Sequence, residues 1–486
     1  MNYLRKICVL TFLFILTGFS LEPGAEPVIV DLAVGESYVF ELKDGSKKPI
    51  TVLSSREERD PFRNAIRRAE VDVDVDGVKA TIPVALYNLP QVVNGVKLDA
   101  AVTKGYPQNS SSPQIWALAP DADVRLRFWN PDEPLLSPGT FVYPLKQRWF
   151  ASDTQMANDP CYVDGGEDPD RKSIYYHYDL DFGGYDHLTR VVAATDGTVV
   201  SAGDDLLEGV SPEDTPVRPR YDVIYIRDHR GWYYRYSHFS SILPHIKPGY
   251  QVKMGEWIGI LGKEGASGGW SHLHFGIHGN KDNEKGVINA YPFIVEAYLN
   301  EHPDALLAVA RPHHYVATGE KVTLDASNSI CQNGEIVSYQ WTFHDGTHAE
   351  GAKVERVYDK PGAYSEILQV QDNRGKIDVD FAVVHVLDKE NPQDTRPPSI
   401  HISSYPTEGI KPGQEVFMKV RTFHVKGGRE LWDFGDGTTG ETCSLNDYAT
   451  ISHHYDKPGL YIVTVERISD NGISAMSRHK VFVEER

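Results

Sequence analysis

Alternation of apolar and polar positions sets the first expectation for this chain. Val71-Asp-Val-Asp-Val-Asp-Gly-Val puts every second residue on an apolar face. That period of two predicts a strand with one wet face running into an Asp76-Gly77 turn. Asp72, Asp74, Asp76 and Gly77 also imitate the start of an EF-hand calcium loop. Pro83 stands where that loop needs its bidentate Glu, so the hairpin is preferred. Residues 26–150 read as one β-rich region. A second block, 174–298, breaks into short apolar runs at Tyr175–Asp181, Val191–Ala194, Thr198–Ala202, Val223–Arg227, Trp232–His238, Trp257–Leu261 and His272–His278. Asp196-Gly197, Pro248-Gly249 and Ser267-Gly268-Gly269 supply turns between them. No amphipathic helical run interrupts this block, so the expectation is an all-β unit with antiparallel sheets around a groove. An acidic linker, 151–173, precedes it and holds Cys161.

The last third is an internal repeat. Tyr339-Gln-Trp-Thr-Phe-His-Asp-Gly-Thr recurs as Leu431-Trp-Asp-Phe-Gly-Asp-Gly-Thr, and Tyr358-Asp-Lys-Pro-Gly-Ala-Tyr recurs as Tyr455-Asp-Lys-Pro-Gly-Leu-Tyr. Thr347 and Tyr358 are 11 positions apart, whereas Thr438 and Tyr455 are 17 apart, so the second copy has six more residues in this loop, Cys443 among them. Each copy, 305–388 and 399–486, predicts a small β-sandwich. The fold class expected is mainly β and multidomain.

Length and composition agree with that class. A chain of 486 residues is too long for one ordinary core, and its wealth of Tyr, Gly and Pro favours short strands and turns. A net charge of −19 argues against nucleic acid or anionic lipid as a partner. Arg5 and Lys6 precede an apolar run from Ile7 to Phe19, which reads as a secretory signal over 1–20, too short to span a bilayer comfortably. The expected location is secreted, periplasmic or at the cell surface, with no integral membrane segment after cleavage. Cleavage removes Cys8 and leaves Cys161, Cys331 and Cys443. Three is odd, so no complete disulfide framework is implied.

The chemistry concentrates in the middle block. His177 and Asp181 lie four positions apart, His238 follows in Tyr236-Ser-His-Phe, and His272 and His274 form a His-x-His pair. This is more than the three protein ligands a catalytic zinc takes. Residues two apart on a strand share a face, so His272 and His274 face one groove; so do His177 and Asp181 if their segment is extended. Asp179 then shares that face and is expected to support a ligand rather than to be one. His187, His229, His245 and His278 fit no motif and read as surface or structural. Tyr175, Tyr176, Tyr178 and Trp270 flank the motifs, where packing is the commoner role of aromatic residues.

His177-x-x-x-Asp181, Asp196-Gly-Thr-Val-Val-Ser-Ala-Gly203, Tyr236-Ser-His-Phe, Lys247-Pro-Gly through Gly262, and Gly265 through Phe275 together resemble the lysostaphin/LytM-type zinc metallopeptidases. The resemblance covers about a fifth of the chain. It implies His177, Asp181 and His274 as ligands of Zn2+, and His238 and His272 as the catalytic pair. It also implies a peptidoglycan endopeptidase, the substrate being wall peptides or another peptide; a peptidase of secreted proteins and a non-catalytic surface scaffold are the alternatives. Asp179 departs from the family, which usually carries Gly there. The repeat resembles polycystic-kidney-disease-type (PKD) domains, with His344 where Gly435 stands in the second copy. Those domains imply spacer or adhesion modules with possible surface partners and no catalytic residues.

Overall fold

The computed structural model describes residues 26–85, 87–149, 160–161, 169–170, 173–279 and 286–485. The apolar leader with Cys8 and most of the linker lie outside them, as does the side chain of Cys161. The chain is mainly β. Among the described residues no helix is long and apolar enough to cross a membrane.

In the N-terminal region, Ser37–Glu41, Lys47–Arg59, Ile66–Val75 and Val78–Pro83 form an antiparallel sheet in chain order. A second sheet runs Val28–Leu32, Val124–Trp129, Val96–Thr103, Gln91–Val93. Val71, Val73 and Val75 are buried between them with Ile50, Leu98 and Phe128. Asp76 and Gly77 turn with φ of 50° and 87°, and the Asp72 carboxylate accepts from Ser54 and Thr81. The acidic face is therefore a bonded hairpin face, as its sequence pattern predicts.

The central block is built on the sheet Leu180–Gly183, His272–His278, Tyr233–Ser237, Val223–Arg227, Gly197–Ala202, Asp205–Leu206. A three-stranded sheet of Arg190–Val192, Trp257–Leu261 and Phe239–Ile242 lies over it, with Val191, Ile226, Tyr236, Ile258, Leu273 and Phe275 in the shared core. One expected strand is corrected. Tyr175–Asp181 is not continuous: Tyr175–Tyr176 pairs with Pro160–Cys161, and a new strand begins at Leu180. The break has a local cause, because the His177 Nδ1–H donates to the Asp179 carbonyl at 2.8 Å and turns the chain.

A helix, Tyr291–Glu301, closes the block. Seven of its 11 residues are buried, so it shows no polar stripe by which an amphipathic helix is recognised.

The two C-terminal sandwiches centre on Trp341 and Trp432. They are joined by backbone pairing, since Gly362–Asp372 runs parallel to Ser474–Val483 at Gly362↔Ser474 and Ala363↔Ala475. His344 has a partner that Gly435 lacks: its Nδ1 donates to Glu366, a buried carboxylate that also accepts from Tyr358.

Candidate metal centre

Register builds the centre. Leu180–Gly183 pairs antiparallel with His272–His278 so that Asp181 sits opposite His274, and on the other side Ser237 is paired with His274. His238 therefore emerges from the end of its strand next to the His-x-His pair. The turn at His177 brings its ring back over Asp181. His177 Nε2 lies 3.1 Å from His274 Nδ1 and 3.1 Å from Asp181 Oδ2, and His274 Nδ1 lies 2.9 Å from Asp181 Oδ1. The edge of a tetrahedron with zinc-like arms is about 3.3 Å, so the two ring nitrogens and the Asp181 carboxylate, which offers a different oxygen to each ring, are close enough to share one cation.

Four hydrogen bonds decide where the ring protons go. The carbonyls of Asp179, Glu264 and Trp270 can only accept. His177 Nδ1 faces the first at 2.8 Å, His238 Nδ1 the second at 2.7 Å and His272 Nδ1 the third at 3.0 Å. His274 has a carboxylate 2.9 Å from each ring nitrogen, Asp179 at Nε2 and Asp181 at Nδ1, so a cation on the inner side places its proton on Nε2, toward Asp179. Each proton is thus held on the outer side, and the remaining nitrogen of each ring presents a lone pair inward. Two such lone pairs, on His177 Nε2 and His274 Nδ1, would repel at 3.1 Å unless a cation stood between them. The donor set fits a metal ion.

Electrostatics agree. Burial opposes ionisation of Asp181, yet His177 and His272 hold its carboxyl well below the usual range. Burial favours neutral His177, but the Asp181 charge prevails and raises its affinity for a proton. His272 and His238 behave otherwise. Burial pushes His272 down to about 3, against the pull of Asp181, and also lowers His238, against Asp222. Both rings are neutral at physiological pH.

The surrounding groups were less visible in the sequence. His238 sits at φ 73°, a left-handed conformation that costs about 1–3 kcal/mol for a non-glycine residue. Its backbone N–H is held by Asp222 at 3.0 Å, and Arg220 grips the same carboxylate. Asp179 faces His274 Nε2, on the opposite side of that ring from His177 and Asp181, a position suited to orienting the ring. It fits because residue 276 is Gly; a Cβ there would meet the Asp179 carboxylate at 2.3 Å. His278, also buried, approaches the same carboxylate at 3.6 Å. Asp179→Ala is expected to weaken metal binding about 10- to 100-fold, as for other orienting partners. Competition against a chromogenic chelator measures this, and a loss above about 1,000-fold would make Asp179 a ligand instead.

The flanking aromatics divide. Tyr176 is buried in the N-terminal core, edge-on to Tyr106, with its hydroxyl accepting from the Ile66 amide. Tyr178 stands edge-on to His274 at 6.3 Å. Trp270 packs against the second sandwich.

A trio of His177, Asp181 and His274 beside His238 and His272 is a cluster that could hold a metal ion. Residues 175–285 match Peptidase family M23, and residues 300–386 and 401–480 each match the PKD domain. The chain thus carries the peptidase segment followed by two PKD domains that its motifs resemble. Collagenase ColA of Clostridium perfringens (strain 13 / Type A) is 30% identical over 181 residues, covering 37% of this chain and 14% of the relative. A microbial collagenase of Vibrio alginolyticus is 29% identical over 103 residues, covering 20% of this chain and 13% of the relative. The chain therefore spans only a small part of the length of these curated relatives. Among solved structures, the SpoIIIAH–SpoIIQ complex aligns with 19% identity and a TM-score of 0.23, covering 32% of this chain and 99% of that one.

Proposed function

We propose that this protein is an exported zinc-dependent endopeptidase that hydrolyses peptide cross-links in peptidoglycan, with His177, Asp181 and His274 as the zinc ligands. The observation that carries the reading is the convergence of His177, Asp181 and His274 on one point beside His238 and His272, with an acceptor on the outer side of each ring that favours a lone pair on its inner nitrogen. When bound, zinc supplies an acidified water and polarises the scissile carbonyl. His272 Nε2, 3.4 Å from Asp181 Oδ1, takes the proton of the attacking water. His238, held by Asp222 and the Glu264 carbonyl, interacts through its inward nitrogen with the developing oxyanion or the departing amine.

The similarity to collagenases favours a second reading, a peptidase of secreted proteins. Purified peptidoglycan, soluble muropeptides and collagen, each offered with and without chelator, separate the two. The first reading expects chelator-sensitive release of wall peptides and no turnover of collagen. Turnover of protein alone supports the second reading, and no turnover of any substrate by zinc-loaded protein refutes both.

A further inference from the structure

The second PKD domain does not hang free of the peptidase domain. It reaches the loop that leads into the His-x-His strand, residues 262–271, which contains Gly265, Gly268 and Gly269, all at positive φ. Such a loop is conformationally permissive by itself. Arg421 Nη1 donates to the Gly269 carbonyl at 2.6 Å. The Ser271 amide donates to the Tyr448 hydroxyl at 2.9 Å. The Trp270 ring stacks on Phe423 at 5.1 Å between centroids and meets His401 edge-on at 4.8 Å. Lys419, its side chain 1% exposed, pairs with Asp186 and lies over the Tyr448 ring at 4.0 Å. Lys263 pairs with Asp447.

These contacts converge on backbone that the chemistry needs. The Trp270 carbonyl faces His272 Nδ1, and it belongs to the same peptide group as the Ser271 amide held by Tyr448, one peptide after the Gly269 carbonyl held by Arg421. Residue 269 is Gly for a matching reason, since a Cβ there would come within 2.2 Å of the Arg421 guanidinium. The repeat adds an independent observation. Asp447 and Tyr448 belong to the very loop in which the second copy is six residues longer than the first. The extra length distinguishing the two sandwiches is thus used against the peptidase domain, and the sheet shared by the sandwiches gives the contact a firm base.

We infer that the second PKD domain is a working part of the catalytic apparatus: Arg421, Phe423 and Tyr448 are positioning residues that hold 269–271 and thereby set the orientation and proton position of His272. This rests on the reading of His272 as the general base. Arg421→Met and Tyr448→Phe, singly and together in the full zinc-loaded chain, test it. Displacement of a catalytic group by about 1 Å can cost 10²-fold, so the double variant is expected to lose about 10- to 100-fold in kcat, with KM and zinc affinity within about twofold of the parent. Arg421→Lys, which keeps a donor toward the Gly269 carbonyl, is expected to recover part of the loss. The 15N resonances of the His272 ring give a readout without turnover: the parent shows the Nδ1–H tautomer alone, and the double variant a mixture.

Unchanged kcat together with an unchanged tautomer would make the domain a mere spacer and overturn the inference, and a rise in kcat would make it a cap and overturn it as well. Should Tyr448→Phe fail to fold, Phe423→Leu replaces it, with the same expectations. If the parent cleaves no peptide, the functional reading falls, while the tautomer measurement still decides whether the sandwich positions His272.

Discussion

His274→Ala is expected to strip the metal from the site and abolish peptide hydrolysis while leaving the β-scaffold folded. His274 Nδ1 lies 3.1 Å from His177 Nε2 and 2.9 Å from an Asp181 carboxylate oxygen, so it completes the group of His177, Asp181 and His274 that could hold an ion. Metal affinity should fall by more than about 100-fold, the upper range for partners that merely orient a ligand. The substitution also frees Asp179, which is fully buried. Arg235 at 3.8 Å and His278 at 3.6 Å remain near that carboxylate, so the stability loss should stay at about 1–3 kcal/mol, the usual cost of an orphaned buried group. Metal content per chain, hydrolysis rate and thermal unfolding check the three parts. Retained stoichiometric zinc with full activity would contradict them.

His272→Ala should produce the opposite pairing, with metal retained and chemistry lost. His272 Nε2 lies 3.4 Å from Asp181 Oδ1, and the proposed mechanism gives it proton transfer while His177, Asp181 and His274 hold the ion. Loss of a general base costs about 10²- to 10⁴-fold, and the loss should fall on kcat rather than KM. His238→Ala should cost less, near about 10²-fold, because its role is stabilisation of charge at one oxygen or nitrogen. The pH dependence follows from burial. The neutral ring is the active form, and burial drives His272 down to about 3. Acidification from neutrality to mild acid therefore leaves its ring unprotonated. Protonation of a ring with the ordinary value of about 6.5 would quench activity in the same interval. Any fall of activity on mild acidification is therefore expected from proton competition at the ligand His177, whose affinity for a proton is raised, and not from His272.

Much of this centre was legible because β-structure converts spacing into direction. His272 and His274 share a face by period alone, and the Asp76-Gly77 turn and the duplicated Trp-x-Phe-x-Asp-Gly-Thr motif carry their own geometry. The path from His177 to Asp181 was misread for a specific reason. A side-chain-to-backbone bond, His177 to the Asp179 carbonyl, broke the strand, and an apolar–polar pattern does not register such a bond. Asp222 and Arg220, which hold His238 in its unusual backbone conformation, sit in no motif. Their role exists only once the strand Val223–Arg227 is paired with Tyr233–Ser237. Tyr448 and Arg421 were invisible for a similar reason: they serve a loop some 150 residues or more away in the chain. Only the extra length of the second repeat hinted at them.

The most direct test of the account is anomalous diffraction at the zinc edge from crystals of the zinc-loaded protein. It predicts one strong peak about 2.0–2.2 Å from His177 Nε2, an Asp181 carboxylate oxygen and His274 Nδ1, with the His272 and His238 nitrogens outside bonding distance. A peak held instead by His238, His272 and His274, a second cluster close enough to bind an ion, or no peak in this region at all, would contradict it.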